Sequence, residues 1–184
     1  MIILASASPQ RKKLLENCGL EFKIIPASVD EIFDESWDKY KIASHLAFIK
    51  ANKIAKLYPD DIIIGSDTIV VLNNKVYGKA ETKKEAFQML KDFSGNTHSV
   101  ITGVAIIKKG QTEIFYDESF VTFRNLTDAE ILNYLATEEY ADKAGSYGIQ
   151  GKAKELIEKF TGSLNNVIGF PTEMFMERFK VDGK

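Results

Sequence analysis

A single cysteine, Cys18, in a chain of 184 residues leaves no partner for an internal disulfide and no multi-cysteine metal site. That suits a reducing compartment, and the thiol reads as a small core residue on a helix. Histidine is nearly as scarce. His45 and His98 are the two present, and neither has a second His or Cys at ligand spacing, so a zinc site is not supported. The hydroxyl-rich segments carry no G-x-S-x-G elbow, which removes support for a Ser-His-Asp site; His98, on an alternating strand, reads as structural. No apolar run approaches the roughly 20 residues needed to cross a bilayer. Met1-Ile2-Ile3-Leu4 lacks the basic flank and apolar length of a signal peptide, so a cytoplasmic location is expected. Charge of one sign is also missing: 24 basic against 26 acidic residues leave a net charge of −2, which argues against an electrostatic nucleic-acid binder.

The composition that remains, 45% hydrophobic and 27% charged, is that of one globular domain over residues 1–184 with a sizeable core. The chain is organised around Ile62-Ile63-Ile64-Gly65-Ser66-Asp67-Thr68-Ile69-Val70-Val71. The apolar runs on both sides predict buried strand, with Gly65 to Thr68 at the end of it. Asp67 is the odd residue. It is either an Asp closing a tight turn on its own backbone or a site carboxylate that needs cations or donors around it.

In chain order, Ile2 to Ala5 predicts a short strand, then Ser8 an N-cap, Pro9 a first helical residue and Gly19 a helix stop. Strand, hydroxyl loop and helix N-terminus make an anion seat to which Ser6, Ser8 and Arg11 can add donors; the P-loop pattern is absent. Phe22 to Pro26 predicts a second strand, leading to Glu31. A long helix is expected over about 38–58, with Ile42, Ala43, Leu46, Ala47, Ile49, Ile54 and Leu57 on one apolar face and Lys50 and Lys53 projecting from the middle of it. Lysines on a buried stripe either snorkel to its edge or meet an anion. Asn73-Asn74 signals a two-residue hairpin, ending at Gly78-Lys79. Thr82 and Thr127 open capping boxes for two further helices, on either side of a long hairpin over residues 99–124. Residues 141–151 are a glycine-rich loop ending near Gln150. Ala153 to Phe160 predicts a short helix, Asn166 to Gly169 a strand, and Pro171 the start of a C-terminal helix.

Arg11, Lys50, Lys79, Glu31 and Asp67 together describe a polyanion pocket that keeps carboxylates. A phosphate-binding module has little use for these, whereas phosphoryl transfer needs them to hold Mg²⁺ or orient water. An enzyme is therefore favoured.

The same residues carry a family resemblance along nearly the whole chain. Ser6-Ala7-Ser8-Pro9-Gln10-Arg11 resembles the S-x-S-P-R-R opening of the Maf family of nucleoside triphosphate pyrophosphatases, and Leu46-Ala47-Phe48-Ile49-Lys50-Ala51 its L-A-x-x-K-A. Glu31 matches its acidic residue after the second strand, and Gly65-Ser66-Asp67-Thr68 is similar to its G-A-D-T. Gly78-Lys79, Ser94 to His98, Asp142 to Gly151 and Asn166 to Pro171 match further motifs in the same order. The resemblance implies an α/β fold: a mixed twisted sheet with long strands and flanking helices, and two lobes around a cleft, as in inosine triphosphate pyrophosphatases. It implies hydrolysis of a nucleoside triphosphate to monophosphate and pyrophosphate with a divalent cation, Mg²⁺ or Mn²⁺. Asp67 would be the general base, and the lysines around it would depress its pKa. It would then act on water acidified by the metal, or ligate the metal with Glu31. Arg11, Lys50 and Lys79 would neutralise the phosphates.

Gly148-Ile149-Gln150-Gly151 resembles the branch acting on dTTP and UTP, and the family's specificity positions fall on Gln10, Thr68 and Gln150. Gln10 stands where the family has Arg, removing one positive charge from the helix N-terminus. The rival readings are a pyrophosphatase for another nucleotide such as 7-methyl-GTP, and a regulatory protein of septum formation. A homodimer is compatible with either.

Overall fold

In the computed structural model, which describes residues 1–179, seven strands form one mixed sheet with helices on both faces. The strands are β1 (Ile2–Leu4), β2 (Lys23–Ile24), β3 (Ile62–Leu72), β4 (Lys75–Tyr77), β5 (Thr97–Lys108), β6 (Gln111–Phe123) and β7 (Ile157–Thr161). The helices are α1 (Pro9–Asn17), α2 (Lys39–Ala55), α3 (Lys83–Phe93), α4 (Asp128–Leu135), α5 (Leu164–Ile168) and α6 (Thr172–Arg178). The order is β2-β1-β3-β5-β6-β7; β1 pairs with β2 and β3 in parallel and the longer pairings are antiparallel.

β3 runs unbroken from Ile62 to Leu72 and pairs with β5 from Ile62 to Val71. Gly65 to Thr68 therefore lie in the middle of a strand, neither at its end nor in a turn. Their small side chains look like turn chemistry, but they serve another purpose. On the strand's other edge, β1 covers Ile62 to Ile64 and β4 covers Val70 to Leu72, so residues 65–69 face a gap between two neighbours that diverge. That gap is the root of the cleft.

Alternation along β3 and β5 sends odd residues to α2 and even residues to the opposite face. Ile63, Ala105 and Ile107 pack with Ala47, Ala51 and Ile54, whereas Ile64, Val104 and Ile106 join Leu14, Leu15, Phe170 and Phe175 around α1 and α6. α2 lies unusually close to the sheet. A Cβ on Gly65 would stand 2.7 Å from the Ala51 backbone nitrogen, and one on Gly103 would stand 2.6 Å from the Ala43 carbonyl carbon. Two glycines on the sheet, facing Ala43, Ala47 and Ala51, allow a backbone-to-backbone approach that larger residues forbid. A second core, built from Val70, Leu90, Phe93, Val121, Phe123, Ile131 and Leu135, underlies the lobe on the far side of the gap.

Several expected elements differ. Beyond Ala55 the chain turns, which leaves Leu57 exposed at 67% rather than on the apolar face. The second strand shrinks to Lys23–Ile24. Residues 151–156 form a 3-10 turn and 157–161 the edge strand β7 in place of a helix. Asn166 to Ile168 are helical despite their β-branched content, because the Ser163 hydroxyl caps the Asn166 N–H at 3.1 Å and starts α5. At Thr82 the expected capping box is rearranged: Thr82 caps Glu85, but the Glu85 carboxylate accepts from Glu81 N–H. The Thr127 box is complete, and the Asn73-Asn74 hairpin has both residues at positive φ. Among the described residues no helix is long and apolar enough to cross a membrane.

Candidate active site

The gap beside residues 65–69 opens into a cavity of about 460 Å³, lined from one side by α1, α2 and β3 and from the other by the end of β4 and residues 139–151. Asp67 points toward α2, as its odd number requires, and there meets Lys50. The two form an ion pair, and the Lys50 ammonium also reaches Glu31 at 2.8 Å. Lys50 thus bridges two carboxylates, one buried on the strand and one half-exposed on the segment before α2. That segment is tied down along its length. The Lys53 ammonium bonds the Ser28 carbonyl, His45 Nε2 lies 3.2 Å from the Ile32 carbonyl, and the Trp37 ring meets His45 edge-on. Lys53 is exposed, so the expected pair of inward lysines is one inward lysine and one that anchors this strap.

Asp67 is buried, and burial raises its pKa above the ordinary carboxylate value, against the pull of Lys50 and then Arg11. This reverses the depressed value expected from nearby cations. Desolvation of a carboxylate beneath a sheet outweighs one ion pair when the pairing cation is itself shared. Burial likewise lowers the pKa of Arg11, opposed by Asp67 and Glu31, but a guanidinium keeps its charge at any working pH.

Thr68 faces the other side and meets Arg11, whose guanidinium is fixed at three points. Nε donates to the Gly169 carbonyl at 2.9 Å, Nη1 to Ser6 Oγ at 3.3 Å and Nη2 to Thr68 Oγ1 at 3.0 Å. Ser8 caps α1 by accepting from Arg11 N–H at 3.4 Å, and Ser6 Oγ accepts from Ser8 N–H at 3.2 Å. Ser6 is buried behind the cavity wall and is not part of its lining. Its hydroxyl oxygen accepts from both Arg11 and Ser8.

The remaining expected residues, Ser8, Gln10, Arg11, Glu31, Lys50, Asp67, Thr68, Lys79 and Gln150, all line the same cavity. Gln10 and Gln150 are exposed at its rim. Lys79 is carried by a short bridge to Ala144 and by the Gly145 N–H bond to the Gly78 carbonyl at 3.0 Å.

Sequence reasoning missed Lys143, whose ammonium donates to the Glu139 carbonyl at 2.8 Å and whose stem passes over Gly148, where a Cβ would stand 2.9 Å from Lys143 Cε. It also missed Tyr147, whose hydroxyl meets His98 Nε2 at 2.7 Å beneath the loop. Both fall inside the Asp142 to Gly151 motif, where the glycines drew attention and the lysine did not. Burial depresses His98 to about 4, so it is a neutral support of this wall.

Among the described residues no group of three or more His, Cys, Asp or Glu side chains gathers for a metal. Asp67 and Glu31 are the carboxylates that converge, both on the Lys50 ammonium.

Comparison with known proteins places the chain in a consistent group. The family model described as Maf-like protein matches residues 1–180. A protein of Geobacillus sp. (strain WCH70) named dTTP/UTP pyrophosphatase is 41% identical over 179 residues, covering 97% of this chain and 96% of its own. A protein of the same name from Halalkalibacterium halodurans is 42% identical over 182 residues, 99% and 96% of the two chains. Another from Bacillus anthracis is 44% identical over 179 residues, 97% and 94% of the two chains.

Proposed function

The chain belongs to the Maf family, and from that premise we propose that it hydrolyses dTTP and UTP to the nucleoside monophosphate and pyrophosphate. The observation that carries the reading is the buried Asp67 at the root of a cleft whose walls supply Arg11, Lys50, Lys79 and Lys143. In the reaction, water oxygen bonds to the α-phosphorus, the bond from that phosphorus to the α,β-bridging oxygen breaks, and pyrophosphate carries away the electron pair. Asp67 is the proton acceptor for the water. Its raised pKa makes it a better base than a solvent-exposed aspartate, at the cost of being ionised only above a higher pH. Arg11 and Lys50 oppose charge on the oxygens of the reacting phosphate, and Lys79 and Lys143 lie where the opposite wall can receive the rest of the polyphosphate.

Two carboxylates, with no third ligand among the described residues, suit Mg²⁺ or Mn²⁺, which take one or two carboxylates together with substrate phosphates. Asp67 and Glu31 would hold such a cation. When bound it would neutralise phosphate charge and polarise the attacking water. Gln150 presents an amide, donor and acceptor both, at the loop that closes the far wall, which matches the alternating edge of a pyrimidine. The named relatives support that substrate class.

The test is a screen of nucleoside triphosphates with Mg²⁺ or Mn²⁺, measuring pyrophosphate release. dTTP and UTP are expected to be hydrolysed fastest; preference for 7-methyl-GTP overturns the pyrimidine assignment. Retention of pyrophosphate release by Asp67→Asn overturns the base.

A further inference from the structure

Thr68 Oγ1 and Thr102 Oγ1 lie 2.9 Å apart, and this contact alone does not say which hydroxyl donates. Their other partners decide it. Thr102 Oγ1 lies 3.0 Å from the Asn166 carbonyl oxygen, which can only accept, so the single Thr102 proton is committed there. Thr68 must therefore give its own proton to Thr102. Arg11 Nη2, which can only donate, bonds Thr68 Oγ1 at 3.0 Å. The result is a chain of one polarity, Arg11 to Thr68 to Thr102 to the Asn166 carbonyl, running from the cavity wall across the face of the sheet opposite α2. Both ends rest on the same short segment, since Arg11 Nε bonds the Gly169 carbonyl.

That segment is itself fixed. The Asn166 amide donates to the Val100 carbonyl at 3.1 Å and to Ser119 Oγ at 3.0 Å, and Asn166 is fully buried. Gly169 has φ +135, a conformation that an L side chain resists. Thr102 is also fully buried and does not line the cavity.

Building on the pyrophosphatase reading, we infer that Thr68 and Thr102 are positioning residues for Arg11. The Thr68 proton points away from the cleft, so its hydroxyl offers no donor to a phosphate oxygen or a pyrimidine carbonyl. Its oxygen accepts from Arg11 and, with Ser6 and the Gly169 carbonyl, fixes the guanidinium, leaving one N–H on each of Nη1 and Nη2 for the polyphosphate. Thr102 sets the direction of the chain without touching substrate. Cooperative chains of this kind strengthen each link and are lost as a unit.

Inorganic tripolyphosphate, which has no base, reports on the Arg11 grip alone when used as a competitive inhibitor. Thr68→Val is expected to weaken its inhibition by about tenfold or more, and Thr102→Val by about threefold to tenfold. In Thr102→Val kcat/KM should fall by similar factors for dTTP, UTP and CTP, and Thr102→Ser should restore the inhibition that Thr102→Val loses. Melting temperatures of all three variants distinguish a loss of fold, which would not follow the Ser and Val pattern. If tripolyphosphate inhibition is unchanged in Thr68→Val or Thr102→Val, the assignment fails. A wild-type protein that releases pyrophosphate from no nucleotide defeats the underlying reading instead, and tripolyphosphate binding followed by calorimetry would still test the chain.

Discussion

On one wall of the cleft Arg11 is held by three protein acceptors and Lys50 by two carboxylates before any ligand arrives. On the other, Lys79 and Gln150 are exposed, and their side chains make no polar contact among the described residues. The difference is one of when order is imposed. For the first wall, side-chain freedom is lost during folding, so in the proposed reaction its charges would act at full strength on the phosphate. For the second it is lost on binding, which moderates affinity and permits adjustment to the group bound. The first wall should govern kcat and the second KM and selectivity.

The largest effect expected is from Asp67→Asn, which removes the proposed proton acceptor while keeping the side chain's shape. Turnover should fall by about 10³-fold or more, with tripolyphosphate still bound. Residual activity within about tenfold of wild type would break the comparison at its centre. Lys50→Met should lower kcat by about 10²-fold, whereas Lys53→Met, three residues along the same helix, should cost less than about threefold. Equal losses would mean that the fixed wall acts through the helix and not through the Lys50 ammonium.

Acid should weaken the support of the second wall. His98 titrates near 4 in the fold against 6.5 for a free imidazole, so the unfolded chain takes up its proton first. Stability is therefore intact above about pH 6.5 and is lost as pH falls toward 4, by up to about 3 kcal/mol. Melting curves of wild type and His98→Phe over this range isolate the contribution, because carboxylates titrate in both. If the two fall in parallel, His98 is not a source of acid sensitivity. A more modest effect is that of Lys79→Ala, expected to raise KM about tenfold with kcat within about threefold. A kcat loss that exceeds the KM change would place Lys79 with the fixed wall.

Much of this site is legible in the sequence because cations and carboxylates stand out against apolar surroundings. Arg11 at a helix start, Lys50 on a buried stripe and Asp67 inside an Ile and Val run each violate local patterning, and each lines the cavity. What was not legible depended on neighbours distant in sequence. Gly65 reads as a turn residue, yet it is glycine because α2 passes over it. Lys50 and Lys53 are close to equivalent on a helical wheel, and only the strap through Ser28 and Glu31 tells them apart. Thr102 looks like an ordinary β residue until its proton is followed to Asn166. Asp67 misled in the opposite direction, since counting lysines ignores how deeply the strand is covered.

The gap in the edge of β3 also bears on the order in which the molecule can assemble. β3, β5 and β6 pair through antiparallel neighbours, two of them joined by a tight turn, and contacts of this kind close early. The N-terminal segment has no such option: β1 must find Ile62 to Ile64, and Arg11 reaches Gly169 across 158 positions of chain. Long loop closures are slow, and synthesis runs from the N-terminus. Arg11 is therefore made 158 positions ahead of Gly169, and its guanidinium waits for that span of chain before it has a seat. A partly made or partly refolded molecule would have a complete hairpin sheet and no phosphate grip, so the appearance of activity during refolding should lag behind the formation of secondary structure.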